Sequence, residues 1–530
     1  MKTCRMRSKY VMYIAAVLSV GAATPAWGQS VPVKEDVGAE CMPQEIAPID
    51  APFDMPDIAR PTFPDYVVDI TEEGARQGKS CTSAIQRAID KVSAQGGGTV
   101  NVPAGEWLTG RITMKSNVNL HIASGAVLWF SGDIADYLPV VRTRNEGVDI
   151  YSLGAMIYAD GAENIALTGG GRLVGPGRDC ALYKSYKAHH TGSDAVDPDT
   201  PVKERIYDGQ DGRTFFLPMF FGPINTRSVL VEGVTFESSV FWNITPQYCE
   251  NVIIRGVTVT NEENGLNDGI DIDSSNGVLI EYCTLSCGDD CFTLKSGRGE
   301  DGVRAGKPSE NIVIRNSLAL RGAGGVTCGS ETAGMIRNVY VHDCVFSGTS
   351  SGLRFKTRRP RGGGGENIHF ERIRLCGVGT AFHWDMLGSR MYVGELADRL
   401  PPRPVGRLTP IYRDITFRDI IVESSNKLAD LSGLPESPVM GILFDNVRAV
   451  SNELMRLRDV DGFVIANSTL SAQSDTITIV DSRNVMLVNT RLDVPGGEID
   501  YDYAGELSRP VMSTTSRENK HEEEYADLNN

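Results

Sequence analysis

Long apolar runs are almost absent from this sequence of 530 residues. The one strongly apolar stretch, "VMYIAAVLSVGAA" from Val11, is shorter than the roughly 20 residues that a membrane-spanning helix needs. Four basic residues precede it, and the small residues of Ala26-Trp27-Gly28 follow it. This order predicts a cleavable secretory signal over residues 1–28 and a periplasmic or secreted mature protein. A single membrane anchor is the alternative.

Positive charge is also in deficit, because 52 lysines and arginines stand against 68 aspartates and glutamates, for a net charge of −16. Nucleic acid repels such a chain, so we predict neither a nucleic-acid partner nor a membrane partner. Any affinity for an acidic polymer must come from a local basic patch. The apolar content of 41% is enough for a sizeable core.

Histidine is missing from the place where a metal site would need it. Ten cysteines remain once Cys4 leaves with the signal, and Cys283, Cys287 and Cys291 are four residues apart. No histidine accompanies these three, and this spacing on a strand does not gather thiolates. We therefore expect buried or disulfide-paired core cysteines and no metal site, and the sequence leaves the pairing open.

One helical pattern stands in a chain that is otherwise rich in strand-like segments. Apolar residues recur at helical spacing over 83–94, which predicts a helix that covers an exposed end of the fold. Ser83 and Gln86 have the spacing of a capping box. The apolar positions are Ile85, Ala88, Ile89 and Val92.

One phrase then recurs along the chain: a polar pair, alternating apolar residues and a small turn. Copies include "ENVIIRGVTV" at Glu250, "NGVLIEYCTL" at Asn276 and "ENIVIRNSLA" at Glu310. From Arg227 to Glu366 they start roughly 23 to 34 residues apart, which is the period of a solenoid, and the period-two alternation predicts strands. The pattern favours an all-β parallel β-helix with asparagines stacked at its turns. A β-propeller is the alternative, but hairpin signals are few.

The same pattern divides the chain into regions. We expect an irregular leader over 29–64, a β-helix catalytic domain over 65–505 and a disordered acidic tail over 506–530. Two polar stretches, 178–214 and 377–410, interrupt the repeat. Insertions in a solenoid become loops on one face, so we expect these two to form walls of a binding cleft.

Paired carboxylates stand within two strand-like runs, "NDGIDIDSS" and "LSCGDDCFTLKSG". Asp268 and Asp290 lie about 22 residues apart, one coil of a solenoid, so we expect them to stack on neighbouring coils beside Asp289. Carboxylates this close repel one another, and at least one pKa should rise, which suits acid and base chemistry on one substrate. For Asp271 and Asp273 the expected role is capping of turns.

A basic patch follows in "SSGLRFKTRRPRGG". Arg354 and Lys356 are two residues apart and therefore share a face of their strand, about two coils beyond the aspartates. A guanidinium fork and an ammonium suit a ligand that carries a carboxylate. We expect some of the later arginines to be solvated turn residues.

Four blocks resemble, in order and spacing, those of glycoside hydrolase family 28, the polygalacturonase family, and more closely its bacterial, often exo-acting branch. The blocks are "NDGIDIDSS", "GDDCFTLKSG", "GSETAGMIRNVYVHDC" and "GLRFKTRRPRGG". The resemblance covers most of 65–500. It implies a right-handed, pectin-lyase-like parallel β-helix that hydrolyses pectin with inversion, without cofactor or metal.

The resemblance also implies roles for individual residues. Asp289 would be the general acid, and Asp268 and Asp290 would hold the attacking water as base. Arg354 and Lys356 would bind the uronate carboxylate of an acidic polysaccharide or oligosaccharide. We expect the protein to be a monomer and to act from one end of its substrate, with the two insertions blocking one end of the groove.

The sequence departs from the family at three places. The family asparagine before the first aspartate motif falls at Leu266, or else the motif is Asn267-Asp268. Gly-His-Gly is replaced by "RGAGGVTCGSE", with Ala323 or Gly324 in place of histidine. Thr245 stands where the exo-acting branch has a further histidine. These differences leave the acid and base in place but open the choice of sugar to rhamnogalacturonan or a substituted galacturonan.

Other side chains are candidates to contact the sugar. His383 and His342 are candidates to replace the missing histidine, and Trp242 and Trp384 to stack on a sugar ring, although such residues in a solenoid are more often structural.

Two other functions stay open. One is a calcium-dependent pectate lyase with arginine or lysine as base and the other is a non-catalytic pectin-binding β-helix.

Overall fold

The computed structural model describes residues 30–189, 193, 196–263 and 265–514. The predicted signal over 1–28 lies outside these residues, as does the acidic tail from residue 515. Within the segment expected to be disordered, Met512–Thr514 forms a strand that pairs with the strand Arg483–Val488. No helix in the described residues is long and apolar enough to cross a membrane.

The strands wind into a solenoid with three faces, and on each face successive coils pair in parallel. Five long strands turn corners and serve two or three faces: Leu318–Cys328, Ile336–Ser347, Gly364–Cys376, Ile411–Ser432 and Val439–Arg458. The other strands of the first face are Val67–Asp69, Gly98–Val102, Val118–Ile122, Glu163–Gly169, Arg227–Glu232, Glu250–Arg255, Asn276–Glu281, Ser309–Arg315, Val460–Ala466, Arg483–Val488 and Met512–Thr514. Those of the second face are Gly105–Thr109, Ala126–Phe130, Arg172–Val174, Thr235–Glu237, Thr258–Asn261, Thr284–Cys287, Thr469–Ala472 and Arg491–Asp493. Those of the third face are Ile112–Thr113, Ala155–Asp160, Met219–Ile224, Ile270–Asp273, Phe292–Lys295, Thr349–Lys356, Val378–Asp385, Thr476–Val480 and Asp500–Ala504.

In addition to the three faces, the described residues form helices and an antiparallel hairpin. The hairpin joins Val141–Asn145 to Val148–Ser152. The α-helices are Thr82–Ala94, Ala181–His189, Gly299–Ala305 and Arg390–Val393. The 3₁₀ helices are Lys34–Asp36, Ala39–Cys41, Ile134–Tyr137, Val202–Glu204, Gln210–Gly212, Gly394–Ala397 and Pro495–Gly497.

The core runs along the axis of the solenoid because alternate residues of each strand point inward. On the first face Val252, Val278, Ile312 and Val339 lie in register on successive coils, and all are fully buried. Each coil thus buries its apolar side chains against the next, which the hydrophobic effect favours. The predicted all-β parallel β-helix is confirmed, and the propeller alternative is wrong because the coils pair in parallel.

Asparagines stack at the turns, as the sequence predicted. The Nδ2 groups of Asn311, Asn338 and Asn367 each donate to the Oδ1 of the asparagine one coil earlier, over 2.8, 2.9 and 2.8 Å. The first acceptor in this ladder is Asn276. The three donors have φ of 56°, 52° and 53°, a left-handed conformation that asparagine tolerates better than most residues.

The helix Thr82–Ala94 packs on the first coils of the solenoid, through the strands Val67–Asp69 and Gly98–Val102. This helix confirms the predicted one, but the predicted capping box is wrong. The N-cap residue is Cys81 and its side chain makes no capping bond. Gln86 bonds the backbone of Thr113 instead, accepting from its N–H over 3.1 Å and donating to its carbonyl over 3.0 Å. The side chains buried beneath the helix are Ala84, Ile85, Ala88, Ile89 and Val92.

The leader is irregular apart from two short 3₁₀ turns, and residues 30–64 lie along the outside of the solenoid as a strap. Ile46 and Ile58 of the strap pack on outward-facing Leu279 and Val313 of the first face. The strap therefore keeps water from apolar side chains that the solenoid alone would expose.

The ten cysteines in the described residues are all unpaired. Cys283, Cys287 and Cys291 are fully buried and belong to the main hydrophobic core. The sequence left open whether the core cysteines are buried thiols or disulfide-paired, and in the structure these three are buried thiols.

Candidate active site

Asp268 and Asp290 stand on neighbouring coils of the third face. Ile270 pairs with Phe292, and each aspartate lies two residues before one of these partners. The amide of Gly269 also donates to the carbonyl oxygen of Asp290 over 2.9 Å. The register therefore gives the expected step of one coil between the two aspartates.

Asp290 is paired with both of the cations predicted to bind substrate. Its Oδ2 accepts from the Lys356 ammonium over 2.7 Å and its Oδ1 from the Arg354 guanidinium over 3.1 Å. Burial alone would raise the pKa of Asp290, but Lys356 and Arg354 more than offset it and hold that pKa well below its usual range. Asp290 is therefore an ionised carboxylate at neutral pH.

Asp289, its neighbour in sequence, has the opposite electrostatic character. Burial comes first and the charges of Asp268 and Asp290 second among the causes that raise its pKa to about 7. Asp289 is less deeply buried than Asp268 or Asp290, both of which are at most 3% exposed. Below pH 7 it is mainly a neutral acid beside an ionised carboxylate.

Asp268 is held by a lysine that the sequence analysis missed. The ammonium of Lys295 lies 3.3 Å from Asp268, 3.5 Å from Asp271 and 3.4 Å from Glu331. It also lies 4.3 Å from the centre of the Trp242 ring, in a cation–π contact. Burial and then Asp271 raise the pKa of Asp268, and Lys295 opposes this rise.

Lys295 and Glu331 belong to the site, although the sequence analysis assigned neither residue a role. Lys295 is 3% exposed and Glu331 is 5% exposed, and charged side chains are almost never buried so deeply unless they are paired. Lys295 could have been identified from the sequence, since it lies on the strand that follows Asp290. Glu331 stands in "GSETAG", which the resemblance flagged only as a block.

The expectation that Asp271 and Asp273 cap turns is wrong. Both lie inside the strand Ile270–Asp273 and are completely buried. Burial raises the pKa of Asp271 to about 7, and Lys295 opposes the rise. Asp273 is 3.3 Å from the buried guanidinium of Arg144 in the hairpin, so this pair ties the hairpin to the coil of the site.

These residues can be set beside known proteins. The model for the glycosyl hydrolases family 28 matches residues 207–386. A solved hyperthermoactive exopolygalacturonase from Thermotoga maritima is 30% identical, and the match covers 82% of this chain and 94% of that one with a TM-score of 0.69. This chain belongs to glycosyl hydrolase family 28. It is accordingly a glycoside hydrolase with a right-handed parallel β-helix.

Curated proteins similar in sequence to this family 28 hydrolase are also named as enzymes that act on galacturonan. A probable polygalacturonase from Vitis vinifera is 29% identical over 381 residues, which are 69% of this chain and 70% of that protein. An exo-poly-alpha-D-galacturonosidase from Dickeya chrysanthemi is 26% identical over 335 residues, 58% of this chain and 55% of that protein.

Gly324 is one of the two residues that can stand in place of the missing family histidine, and the space around it is filled. A Cβ added at Gly324 would lie 2.1 Å from Oγ1 of Thr327 and 2.8 Å from Oδ1 of Asp290. No side chain fits there without moving one of these atoms. Thr245, where the exo-acting branch has its further histidine, is completely buried.

The two candidate histidines lie in different places. His383 pairs in register with Arg354 on the next coil, and its Nδ1 is 3.0 Å from Oγ of Ser351, so it is beside the cations of the site. His342 lies on the first face and contacts Asp343 over 2.6 Å, away from the aspartates of the third face. Only His383 is placed to meet a ligand that spans the third face.

The two tryptophans are both inside the protein. Trp384 is completely buried and stacks on Phe355 with ring centres 4.1 Å apart, so it is a core residue. Trp242 is 6% exposed, stacks on Phe241 at 4.7 Å and holds Lys295 on its ring. Neither offers a ring face as a platform for a sugar in this structure.

Both sequence insertions dock on one short helix, Gly299–Ala305, which follows the strand of Lys295. From residues 178–214, the buried Arg205 binds Asp301 through two nitrogens, over 2.6 and 3.1 Å. From residues 377–410, Arg407 lies 2.5 Å from Glu300. Both insertions therefore contact the segment that connects the strand of Lys295 on the third face to the strand Ser309–Arg315 on the first face. In the part of the chain that the structure describes, no three histidine, cysteine or acidic side chains are grouped to hold a metal ion.

Proposed function

We propose that this family 28 hydrolase cleaves α-glycosidic bonds of pectic galacturonan with inversion. The observation that supports this most is the contrast between two adjacent aspartates. Asp289 has a pKa raised to about 7, whereas Asp290 stays ionised beside Lys356 and Arg354. Glycoside hydrolysis needs one carboxylic acid and one carboxylate at the same bond.

In the proposed reaction Asp289 donates its proton to the glycosidic oxygen as the bond from that oxygen to C1 breaks. Asp290, with Asp268, accepts a proton from water, whose oxygen attacks C1 from the opposite face. The new C1–O bond therefore has the opposite anomeric configuration. The proton on the base returns to solvent, and Asp289 takes one up before the next cycle.

A uronic acid is the proposed sugar because Arg354 and Lys356 have N–H donors that Asp290 does not use. While paired with Asp290, Arg354 and Lys356 keep 25% and 22% of their side-chain surface exposed. A guanidinium carries five N–H donors and an ammonium three, so both can also bind a carboxylate of the substrate. The polygalacturonases among the relatives support the same sugar.

We further propose that the enzyme acts from a chain end, as a monomer, after export. The contacts of both insertions with the helix Gly299–Ala305, which follows the strand of Lys295, support a cleft with restricted access. The relatives named exopolygalacturonase and exo-poly-alpha-D-galacturonosidase support the same mode. The signal predicted over residues 1–28 supports export to the periplasm or beyond.

A rhamnogalacturonan or a substituted galacturonan is the second candidate substrate. It is favoured by Ala323 and Gly324, one of which stands in place of the family histidine, and by the buried Thr245. The imidazoles that the family resemblance implies at these two places are therefore absent, so the contacts that select the sugar should differ from those of a plain polygalacturonase.

Product analysis tests these proposals together. The enzyme is given homogalacturonan and rhamnogalacturonan in parallel, products are separated by chromatography, and the anomer is read by NMR in the first minutes. We expect the β-anomer first, with mono- or disaccharides alone from the outset on homogalacturonan. An initial α-anomer would exclude inversion, an unsaturated product that absorbs in the ultraviolet would indicate a lyase, and no release from either polymer would indicate a binding protein.

A further inference from the structure

Beyond the acid and base, the third face carries a second group of charged side chains in line with the first. Reading strand by strand from Lys356, the residues in register are Asp385, Ser432 and Arg458. Parallel strands lie about 4.8 Å apart, so Arg458 is about 14 Å further along the face than Lys356.

The row that starts at Arg354 runs beside it. Arg354 is followed in register by His383, Asp430 and Arg456 on successive coils. The alternation of the strands puts Leu431 and Leu457 in the core, between the residues of the two rows, so both rows lie on the outer side of the third face.

Most charges in this second group are already paired. Arg456 donates to Asp430 from two nitrogens, over 3.0 and 2.6 Å, and Lys427 lies 3.5 Å from the same carboxylate. Lys427 also lies 3.1 Å from the exposed Glu453. Asp430 is only 9% exposed, so its carboxylate is fixed in place by these neighbours.

Arg458 differs from its neighbours. Within the described ranges its guanidinium has no hydrogen bond or ion pair of its own, although the side chain is partly buried. Arg399 stands nearby but is committed to Asp459 and Asp481, over 2.7 and 2.5 Å. Burial first, then the positive charges of Arg456 and Arg399, lower the pKa of Arg458. A bound anion would relieve this arrangement.

The insertion from residues 377–410 borders this stretch of the face. Arg359 anchors the loop base by binding Glu436 over 2.5 and 2.7 Å and by donating to the carbonyl oxygens of Leu396 and Asp398. Arg399 anchors its far end on the coil that follows Arg458. The loop is thus fastened alongside both rows.

We propose that Arg458, supported by Arg456 and Asp430, is a distal subsite for a uronate carboxylate of a galacturonan chain whose scissile bond lies at Asp289. The inference rests on the proposed function. The guanidinium fork of Arg458 binds the carboxylate, and the fixed Asp430 accepts hydrogen bonds from sugar hydroxyls. A sugar unit is comparable in length with one strand spacing, so a disaccharide held at Lys356 does not reach Arg458, whereas a chain of about four or more units does.

The test compares chain lengths in two variants. Arg458→Gln removes the proposed ligand, and Arg491→Gln is the matched control, because Arg491 is exposed at the same end of the solenoid but on the second face. We expect Arg458→Gln to raise KM for hexagalacturonate about tenfold, the usual worth of a charge-assisted hydrogen bond, and to leave KM for digalacturonate unchanged. Arg491→Gln should change neither. Equal effects on both lengths, no effect, or the same effect from the control would overturn the subsite.

A binding measurement separates this inference from the proposed function. Calorimetry of hexagalacturonate and digalacturonate with Asp289→Asn and with Asp289→Asn/Arg458→Gln measures binding with turnover largely removed. If wild type does not hydrolyse galacturonan, the proposed function fails, yet weaker binding of the hexamer alone to the double variant still supports the subsite and unchanged binding overturns it. Arg458→Lys keeps the charge and most of the volume and is used if Arg458→Gln does not fold. It should lose part of the hexamer affinity, because an ammonium lacks the fork.

Discussion

The ammonium of Lys356 lies 2.7 Å from Oδ2 of Asp290. The strand of Lys356 is two coils beyond the strand that follows Asp290, since Phe292 pairs with Val326 and Val326 with Leu353. The sequence predicted Lys356 as a ligand for the substrate. In the structure it also sets the charge of a catalytic candidate, so the proposed binding of a uronate and the ionisation of the proposed base share one cation.

Replacing Lys356 therefore tests both roles at once. In Lys356→Met the pKa of Asp290 should rise, because burial then acts with one fewer opposing charge. We expect kcat/KM to fall at least about 100-fold and the acid limb of the pH–rate profile to move to higher pH. Lys356→Arg, which keeps the charge, should keep the limb in place. A rise in KM with an unmoved acid limb would show that Lys356 only binds substrate.

The raised pKa of Asp289 predicts where activity is lost on the alkaline side. The proton donor must be protonated, and its pKa of about 7 means that kcat/KM should fall as pH rises through 7. Asp290, with its depressed pKa, stays ionised and places no limit near neutrality. Rates measured from pH 4 to 9 on oligogalacturonate would check this.

Asp289→Asn provides the companion measurement. The amide cannot donate in the same way, so the rate should fall about 10²- to 10⁴-fold and the alkaline limb should disappear from what remains. A variant that retains both the rate and the limb would assign the acid to another group.

The sequence predicted the repeat, the capping helix and the coil step between Asp268 and Asp290, because these follow from period and spacing alone. It missed Lys295 and Glu331, whose importance comes from contacts between coils rather than from neighbours in sequence. The capping box failed for the same reason, since Gln86 finds a better partner in Thr113 across the fold. Contacts between distant segments therefore decided the parts of the site that local pattern could not.

Lys295 is a positioning residue whose loss should be visible in the pH profile. Lys295→Met removes the ammonium that opposes the raised pKa of Asp268, so Asp268 should remain protonated to higher pH. We expect kcat to fall more than KM rises and the acid limb to shift upward, with partial rescue in Lys295→Arg. Lys79→Met, at an exposed lysine, serves as the control. A drop in melting temperature with an unchanged profile would mean that Lys295 is only structural.

The strap is fastened by a buried charge network. Glu281 lies 2.8 Å from Arg255 and 2.8 Å from Arg315, and all three are at most 6% exposed. The same arginines donate to the strap carbonyls of Pro43 and Ala47, each over 2.7 Å. Glu281 thus holds two guanidinium groups that in turn hold the strap.

Removing Glu281 should therefore cost far more stability than removing a surface partner. Glu281→Ala leaves the buried Arg315 without its carboxylate and leaves Arg255 with Glu232 alone, at 3.2 Å, and we expect a loss of about 3–5 kcal/mol in the free energy of unfolding. Glu250→Ala breaks the exposed pair with Arg227, at 3.1 Å, and should cost roughly 0–1 kcal/mol. Urea unfolding at pH 7 measures both. Equal losses would show that the network does not carry the strap.

Gly324 gives the sharpest test of how the missing histidine is tolerated. In Gly324→Ala the new methyl group meets Oγ1 of Thr327 at 2.1 Å and Oδ1 of Asp290 at 2.8 Å, so both side chains must shift and the bond from Arg354 to Oδ1 is disturbed. We expect kcat to fall about tenfold or more with a smaller change in KM, and a stability loss of about 1–3 kcal/mol from overpacking. Gly406→Ala, where a Cβ meets open space, is the control. An alanine variant as active as wild type would mean that the position of Asp290 is not critical, and the base would then have to be sought at Asp268.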